Sequence, residues 1–462
     1  MHPMKANEHI HFIGIGGYGM SAIARVLVEM GHPVTGSDLS ANKLTESLAA
    51  RGATVHYKHD AKWVEGADRV VYSSSIPEHN VEMMAAREWG IPVMHRSEML
   101  ALLLNDKQGI AVAGAHGKTT TSSMIAQVME LGEADPTYII GGEVVGLDGN
   151  AKAGSSPYVV AEADESDGTF LEYFPYIGIV TNIEPDHLEN YDGDFKNLKQ
   201  AYKQFLSQIQ SEGSAILSVD DPYLREMKEE VDANVITYGL HPEADYRAIN
   251  IRAQEREVRF EIQYRGEVLG EIHLFVPGHH NVSNALAAVI TCLQVGLSFA
   301  QIADALTHFR GAKRRFQVIG EVNGIMVVDD YAHHPTEIRS TIEGVKAMNK
   351  RIVTVFQPQR YSRTHLLMQE FSEAFADADE VVITSIYSPA GEKPIEGVTS
   401  ERLTQMVKES GQLNVQFCNT QEEAKAYLLE MLRQDDLVLT MGAGDIWQLA
   451  HSLVPALEKR EA

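Results

Sequence analysis

The chain has little cysteine, little tryptophan and a shortage of positive charge. Its two cysteines, Cys292 and Cys418, lie far apart in 462 residues and in no metal-ligand spacing. That excludes a disulfide framework and a cysteine-based zinc site, and both thiols are expected to be reduced and structural. Lys and Arg number 39 against 64 Asp and Glu, a formal net charge of −25. Such a chain is not expected to take nucleic acid or an anionic membrane as its main partner. Anionic small molecules remain open to it, since local nests of amides, Lys and Arg bind them. No uncharged run reaches membrane-spanning length, and the apolar patch from Ile10 to Val28 is broken by glycines, Ser21 and Arg25. With no cleavage site after it, the expected location is cytoplasmic. Repeats of fixed period and low-complexity segments are lacking too.

The strongest positive signal is Gly114-Ala115-His116-Gly117-Lys118-Thr119-Thr120-Thr121. It follows the apolar run Gly109–Ala113 and precedes a helix-compatible segment, Ser122–Leu131. A strand, a glycine turn and a helix N-terminus make a phosphate cradle: backbone N–H groups and the helix dipole face the anion, and the lysine neutralises it. A hydroxyl is left for Mg²⁺. Only Ala115 and His116 separate Gly114 from Gly117, where the general Walker pattern has four residues, so the loop is a shortened relative. An ordinary strand-to-helix turn with a chance lysine is the competing reading, and the three threonines weigh against it.

Upstream, a strand is expected over His9–Ile15, and Gly14-Ile15-Gly16-Gly17-Tyr18-Gly19 fits G-x-G-x-x-G. A helix is expected over Met20–Met30, and Asp38 closes the second strand, where a Rossmann-like unit places its ribose-binding acid. Arg69–Ser73 reads as a strand and Val81–Trp89 as a helix. A glycine-rich turn binding nothing competes with this dinucleotide-type reading.

The second region holds strands Tyr158–Ala161 and Ile177–Thr181, each followed by acids and, after the latter, His187. Glu162 stands at a strand's carboxyl end, the edge where open α/β sheets gather ligands, and hard oxygens there suit Mg²⁺. A lone histidine is more often a capping or packing residue, but the ordered set Lys118, Thr119, Glu162 and His187 favours a site. Alternating apolar and charged positions over Val235–Phe275 predict a β-hairpin insertion with one wet face, and Asn284–Leu293 an amphipathic helix. Gly311–Phe316, with its basic cluster, predicts a hinge.

In the last region, β-rich runs at Ile325–Val328, Ile352–Phe356, Glu380–Thr384 and Leu437–Met441 alternate with helical segments, which predicts a further parallel α/β sheet. Asp329 and Asp330 are adjacent on a strand, so one is expected to be solvated while the other holds ligand or metal. Arg360 and Arg363, three apart at a helix start, are placed to share a face and clamp a carboxylate. The terminal Glu-Lys-Arg-Glu-Ala is expected to fray.

Taken in order, these segments resemble the Mur ligases, ATP-dependent amide-forming enzymes of peptidoglycan synthesis. The resemblance rests on His11–Gly17, the phosphate loop, Ala161–Asp167, Thr181–His187, Asp329–Glu337 and Arg360–Thr364, and it spans essentially the whole chain. It implies an α/β protein of three domains: a Rossmann-like UDP-sugar domain (1–107), a central P-loop ATPase (108–317) and a Rossmann-like amino-acid domain (318–462). The activity it implies is ATP-dependent ligation of L-alanine to UDP-N-acetylmuramate, with Mg²⁺ or Mn²⁺, in a monomer or weak homodimer. Gly114, His116, Gly117, Lys118, Thr119, Thr120, Asn284, Arg315 and Asp330 are then expected at ATP, and Thr119, Glu162 and His187 at metal. The UDP-sugar would fall to Gly14, Gly16, Gly17, Gly19, Asp38, Ser73, Glu165 and Ser166, and L-alanine to Tyr331, His333, Arg360 and Arg363. Lys118, His187, Arg315 and His333 are the expected catalytic residues.

Two departures are visible: Ala115 where the family usually has threonine, and Ala332 where glycine is common. Lys203 is a weak candidate for the carbamylated lysine that several relatives carry. The competing readings are a ligase that recycles a whole tripeptide onto the same UDP-sugar, a nicotinamide-dependent dehydrogenase built on Gly14–Gly19 and Asp38, and a non-catalytic UDP-sugar sensor.

Overall fold

The computed structural model describes residues 4–166, 168–388 and 392–460. Asp167 of the expected acidic motif, and Glu461 and Ala462 of the fraying tail, lie outside them. Three separate sheets organise the described chain. The first joins β1 (Ile10–Ile13), β2 (Val34–Ser37), β3 (Thr54–His56), β4 (Arg69–Tyr72) and β5 (Val93–His95) in the order β3-β2-β1-β4-β5. Its strands are all parallel. This is the doubly wound order, and the chain reverses direction across the sheet between β1 and β4, where such sheets take ligands.

The second sheet contains β6 (Gln108–Ala113), β7 (Thr137–Ile139), β8 (Ala151–Lys152), β9 (Tyr158–Glu162), β10 (Ile177–Val180), β11 (Ser214–Ser218), β12 (Asn234–Gly239), β13 (Tyr246–Gln254), β14 (Glu257–Tyr264) and β15 (Glu267–Leu274). Their order is β15-β14-β13-β12-β11-β10-β6-β9-β7-β8, which puts β6 between β10 and β9. The expected hairpin over 235–275 is therefore only part of what is there. β12 is a parallel neighbour of β11, and β13 of β12, so the segment extends the main sheet. Its turns are two residues long, Glu255-Arg256 and Arg265-Gly266, with left-handed φ at Glu255, Arg265 and Gly266. Such turns match the twist of hairpin strands.

The third sheet runs β16-β17-β21-β18-β19-β20, from β16 (Gln317–Val322), β17 (Ile325–Asp330), β18 (Ile352–Phe356), β19 (Glu380–Thr384), β20 (Val415–Cys418) and β21 (Leu437–Met441). It is parallel except for β16, which pairs antiparallel with β17 at the edge. The four β-rich runs expected in this region are β17, β18, β19 and β21, and the edge strands β16 and β20 lie outside those four runs.

By packing, the chain divides into two compact units: Met1–Asn250 with Phe260–Ile272 and Ser283–Phe309, and Ile251–Arg259 with His273–Val282 and Arg310–Ala462. Within the first unit, one apolar core runs from Ile10, Phe12 and Leu27 to Ala111, Val180 and Leu217, so two sheets share it. Polar contacts add to that junction. Arg25 and Arg51 both reach the Asp148 carboxylate, at 2.7 and 3.2 Å, and Glu29 accepts the Ala153 N–H. In the second unit the two faces of the third sheet carry separate cores, one around Val328, Ile338 and Phe356 and one around Val327, Leu428 and Leu453. Among the described residues no helix is long and apolar enough to cross a membrane.

Candidate active site

At the carboxyl end of β6 the chain turns through Gly114 and enters the helix Lys118–Leu131 at Gly117. Gly117 is left-handed (φ 86°), and a Cβ there would meet the Asn284 Oδ1 at 2.6 Å. Only glycine tolerates both constraints. Asn284 also accepts the Thr121 hydroxyl at 3.2 Å, so it sits against the loop as expected. Residues after β10 hold the loop from the other side. Asn182 accepts the His116 N–H at 2.9 Å and donates to the His116 carbonyl at 3.0 Å, while Thr181 donates to the same carbonyl. The His116 ring lies 3.4 Å from Glu184. Asn182 and Thr181 had been given no role from sequence, although they stand in one of the motifs.

Lys118 donates to the Gly114 carbonyl at 2.7 Å and to Glu165 Oε2 at 2.8 Å. Burial pulls its pKa down, but Glu165, Asp164 and Glu162 together outweigh that and push it up to about 12. The ammonium is therefore permanently charged at the loop. Glu165, expected at the UDP-sugar, is instead engaged by this lysine and is 2% exposed. Neighbouring Ser166 donates its N–H to Asp164.

Glu162 closes β9. It accepts the Thr119 hydroxyl at 3.2 Å and the Gly141 N–H at 2.7 Å. Thr119 and Glu162 are thus together, and their hard oxygens suit Mg²⁺ or Mn²⁺. Thr120 lies in the first turn of the same helix and is partly exposed. His187 is placed differently. It is left-handed (φ 55°), precedes a short 3-10 turn, and has Asp186 beside its ring at 3.7 Å. Against desolvation, Lys118 and, to a smaller degree, His187 both lower the pKa of Asp164. Lys203 is ion-paired with Glu230 and 39% exposed, a poor setting for carbamylation, which needs a neutral amine.

The glycine fingerprint sits between β1 and the helix Tyr18–Glu29, with Gly17 as its N-cap. Gly14 is left-handed (φ 78°), and Gly16 donates its N–H to Asp38 at 2.8 Å. A Cβ on Gly16 would meet Asn42, Asp38 and Thr45 at 2.7–2.8 Å, which explains the glycine. Gly19 faces Arg96, and Ser73 follows β4 at the same sheet edge. Tyr18, inside the fingerprint, has its phenol pKa raised by desolvation first and then by the charges of Glu143 and Glu162.

In the second unit the residues after β17 form their own cluster. His333 is 16% exposed, its Nδ1 donates to the Tyr331 carbonyl at 2.9 Å, and Glu337 lies 3.2 Å away. Burial lowers its pKa to about 4, with Glu337 opposing and Arg363 and Arg315 adding to the fall. The ring is neutral at pH 7 with its lone pair on Nε2. Arg315 lies over the Tyr331 ring and 3.4 Å from Glu337. Tyr331, His333, Arg315 and the field of Arg363 thus come together.

Two expectations fail here. Asp329 and Asp330 are both buried, at 0% and 7%, because each carries its own partners. Asp329 takes Arg314 at 2.9 Å and the Thr440 hydroxyl at 3.0 Å; Asp330 accepts the N–H groups of Phe316 and Ala332, both at 2.7 Å. Arg360 and Arg363 do not form a clamp. Arg360 is the exposed N-cap of the helix Tyr361–Leu366, whereas Arg363 is buried and donates to Gln359 at 2.7 Å. The same helix start is held by Glu392, which accepts the N–H groups of Tyr361 and Ser362 from thirty positions on, a contact no local pattern signals.

Comparison with known proteins gives three matching family profiles: "Mur ligase family, catalytic domain" over 9–108, "Mur ligase middle domain" over 112–292 and "Mur ligase, glutamate ligase domain" over 314–444. The chain is 50% identical to the UDP-N-acetylmuramate–L-alanine ligase of Symbiobacterium thermophilum, covering 99% of this chain and 96% of that one. The ligase of the same name from Pelotomaculum thermopropionicum is 49% identical, with 99% of both chains covered. Among solved structures, the UDP-N-acetylmuramate-alanine ligase of Thermotoga maritima is similar with a TM-score of 0.80 at 30% identity, covering 98% of this chain and 99% of that one. A murein peptide ligase from Psychrobacter arcticus shares the fold with a TM-score of 0.69 at 24% identity, over 97% and 98% of the two chains.

Proposed function

The chain belongs to the Mur ligase family, and on that premise we propose that it joins L-alanine to the lactyl carboxylate of UDP-N-acetylmuramate, using ATP. The observation that carries this reading is the set of Lys118, Thr119 and Glu162 at the carboxyl ends of β6 and β9. It is a phosphate cradle with a permanent cation and a hard-oxygen pair beside it. The choice of L-alanine and of the sugar nucleotide is supported by the names of the full-length relatives. Domain borders near 107 and 317, and a cytoplasmic location, belong to the same reading.

The chemistry follows from the poor electrophilicity of a carboxylate at pH 7. Transfer of the terminal phosphoryl group of ATP to the lactyl carboxylate gives an acyl phosphate and ADP. Attack by the free amine of L-alanine gives a tetrahedral intermediate, which collapses to the amide and phosphate. Lys118 offsets charge on the phosphoryl group in flight, at the N-terminus of the helix Lys118–Leu131. Thr119 and Glu162, with His187 as the further candidate, would hold Mg²⁺ or Mn²⁺, which when bound screens phosphate charge. Asn284 and Arg315 are assigned to the nucleotide, and the fingerprint Gly14–Gly19 with Asp38 and Ser73 to the UDP moiety. Tyr331, His333, Arg360 and Arg363 are assigned to L-alanine, with His333 or a nearby carboxylate taking the amine proton.

Oxygen-isotope transfer tests the acyl phosphate. With ¹⁸O in the lactyl carboxylate, one label must appear in the released inorganic phosphate. Unlabelled phosphate alongside amide product would refute the route.

A further inference from the structure

The helix Val81–Glu88 carries a carboxylate that the assignment above does not use. Glu82 is fully buried, yet its two oxygens are crowded with donors. Oε2 accepts the Ser37 hydroxyl at 2.6 Å and faces His11 Nε2 at 3.3 Å. Oε1 accepts the Asp60 N–H at 3.0 Å and lies 3.5 Å from His59 Nδ1. Burial raises its pKa, but the bonds from His11, Ser37 and the Asp60 N–H outweigh that and leave it below the ordinary value, hence ionised. All these donors belong to β1, to the last residue of β2 and to the loop after β3, beside the Asp38 that holds Gly16.

The directions of the bonds are forced. A carboxylate accepts only, so the Ser37 hydroxyl hydrogen points to Glu82. Its oxygen must then accept from His59 Nδ1, 3.0 Å away. Whenever the ring carries a single hydrogen, that hydrogen is therefore on Nδ1, and the lone pair is on Nε2. That nitrogen has no protein partner among the described residues, and the side chain is 20% exposed.

Resting on the sugar-nucleotide reading above, we propose that Glu82, through Ser37, is a positioning residue that fixes His59 as a hydrogen-bond acceptor for a donor group of the uridine nucleotide. Two groups have that chemistry, the uracil imide N–H and a ribose hydroxyl. In Glu82→Gln the amide can donate to Ser37, which then donates to Nδ1. The ring hydrogen moves to Nε2, and the site offers a donor where the ligand also brings one.

The test is calorimetric titration of the full-length protein with UDP-N-acetylmuramate, for wild type, Glu82→Gln, His59→Ala and the double variant. Each single variant is expected to bind about tenfold more weakly, and the double variant no more weakly than either single one. KM for the sugar nucleotide should rise with them while kcat at saturation stays within about twofold. 3-Methyl-UDP and 2′-deoxy-UDP separate the two donors, since the analogue lacking the correct one should bind wild type and His59→Ala alike. ¹⁵N-histidine spectra of the ligand-free protein should report Nδ1–H for His59 in wild type and Nε2–H in Glu82→Gln.

Wild-type affinity in His59→Ala, which is partly exposed and does not depend on a buried substitution, would overturn the proposal. So would multiplicative losses in the double variant, or Nε2–H in the wild type. If the wild type itself fails to bind UDP-N-acetylmuramate, the functional reading falls, while the ¹⁵N tautomer still judges the relay.

Discussion

Lys118 Nζ lies 2.8 Å from Glu165 Oε2, and this ion pair joins the phosphate loop to the segment after β9. The lysine is 15% exposed and the glutamate side chain 3%, so neither charge is well hydrated. On the proposed assignment, phosphates entering the loop would compete with Glu165 for the ammonium. Lys118→Ala should therefore do two separable things. ATP turnover should fall by at least about 10²-fold, and stability should fall by about 3 kcal/mol because a buried carboxylate loses its cation. Lys118→Met combined with Glu165→Gln should recover the melting temperature but not the turnover. Recovery of both would show that the lysine acts only through folding.

Glu162 and Thr119 share a hydrogen bond at 3.2 Å, and both are assigned to the divalent cation. Glu162→Gln keeps the shape and removes the charge. The Mg²⁺ concentration for half-maximal rate should rise about tenfold or more in that variant, and excess Mg²⁺ should restore part of the rate. An unchanged Mg²⁺ requirement would remove Glu162 from the metal site.

His333 and Asp330 bend the pH dependence of stability in opposite senses. The folded pKa of His333 is lowered to about 4 by burial, so its contribution is present above the unfolded value of 6.5 and is lost as pH falls through 4. For Asp330, burial raises the folded pKa to about 6, so its contribution is present below 3.8 and is lost as pH rises through 6. Between pH 4 and 6 the two largely cancel. In denaturant titrations, His333→Asn should make stability fall with rising pH over that window relative to wild type. Asp330→Asn should make it rise, each by roughly 1.4 kcal/mol per pH unit. Parallel profiles for the two variants would contradict the burial that shifts both groups.

Arg314 carries the turn before β16. It is left-handed (φ 60°) and bonds Asp329 at 2.9 Å and the carbonyls of Gly444 and Gly442 at 3.0 and 2.6 Å. Arg314→Ala strands the fully buried Asp329 and should cost about 3–5 kcal/mol. Asp329→Asn added to it should return part of that loss in a thermal melt, and no recovery would mean that the carbonyl contacts matter more.

Local chemistry explains what could be read from the chain. The phosphate loop and the glycine fingerprint were legible because their glycines fall in a recognisable spacing, although what requires them is a left-handed backbone at Gly117 and the distant side chains of Asp38, Asn42 and Thr45 at Gly16. Parallel strands buried on both faces, such as β17, β18 and β21, were legible as apolar runs. The half-exposed edge strand β16 gave no such run. The adjacent acids were misread because strand alternation says nothing of Arg314, which enters from outside β17 to neutralise Asp329. Glu82 was invisible for a similar reason: Ser37 and His11 reach it from 45 and 71 positions away.

The most direct test of the central claim is phosphate release from ATP in the presence of UDP-N-acetylmuramate, with L-alanine compared against the tripeptide L-Ala-γ-D-Glu-meso-diaminopimelate. Release that requires both the sugar nucleotide and L-alanine is the predicted result. Release driven by the tripeptide in preference to L-alanine, or none with either, would contradict it.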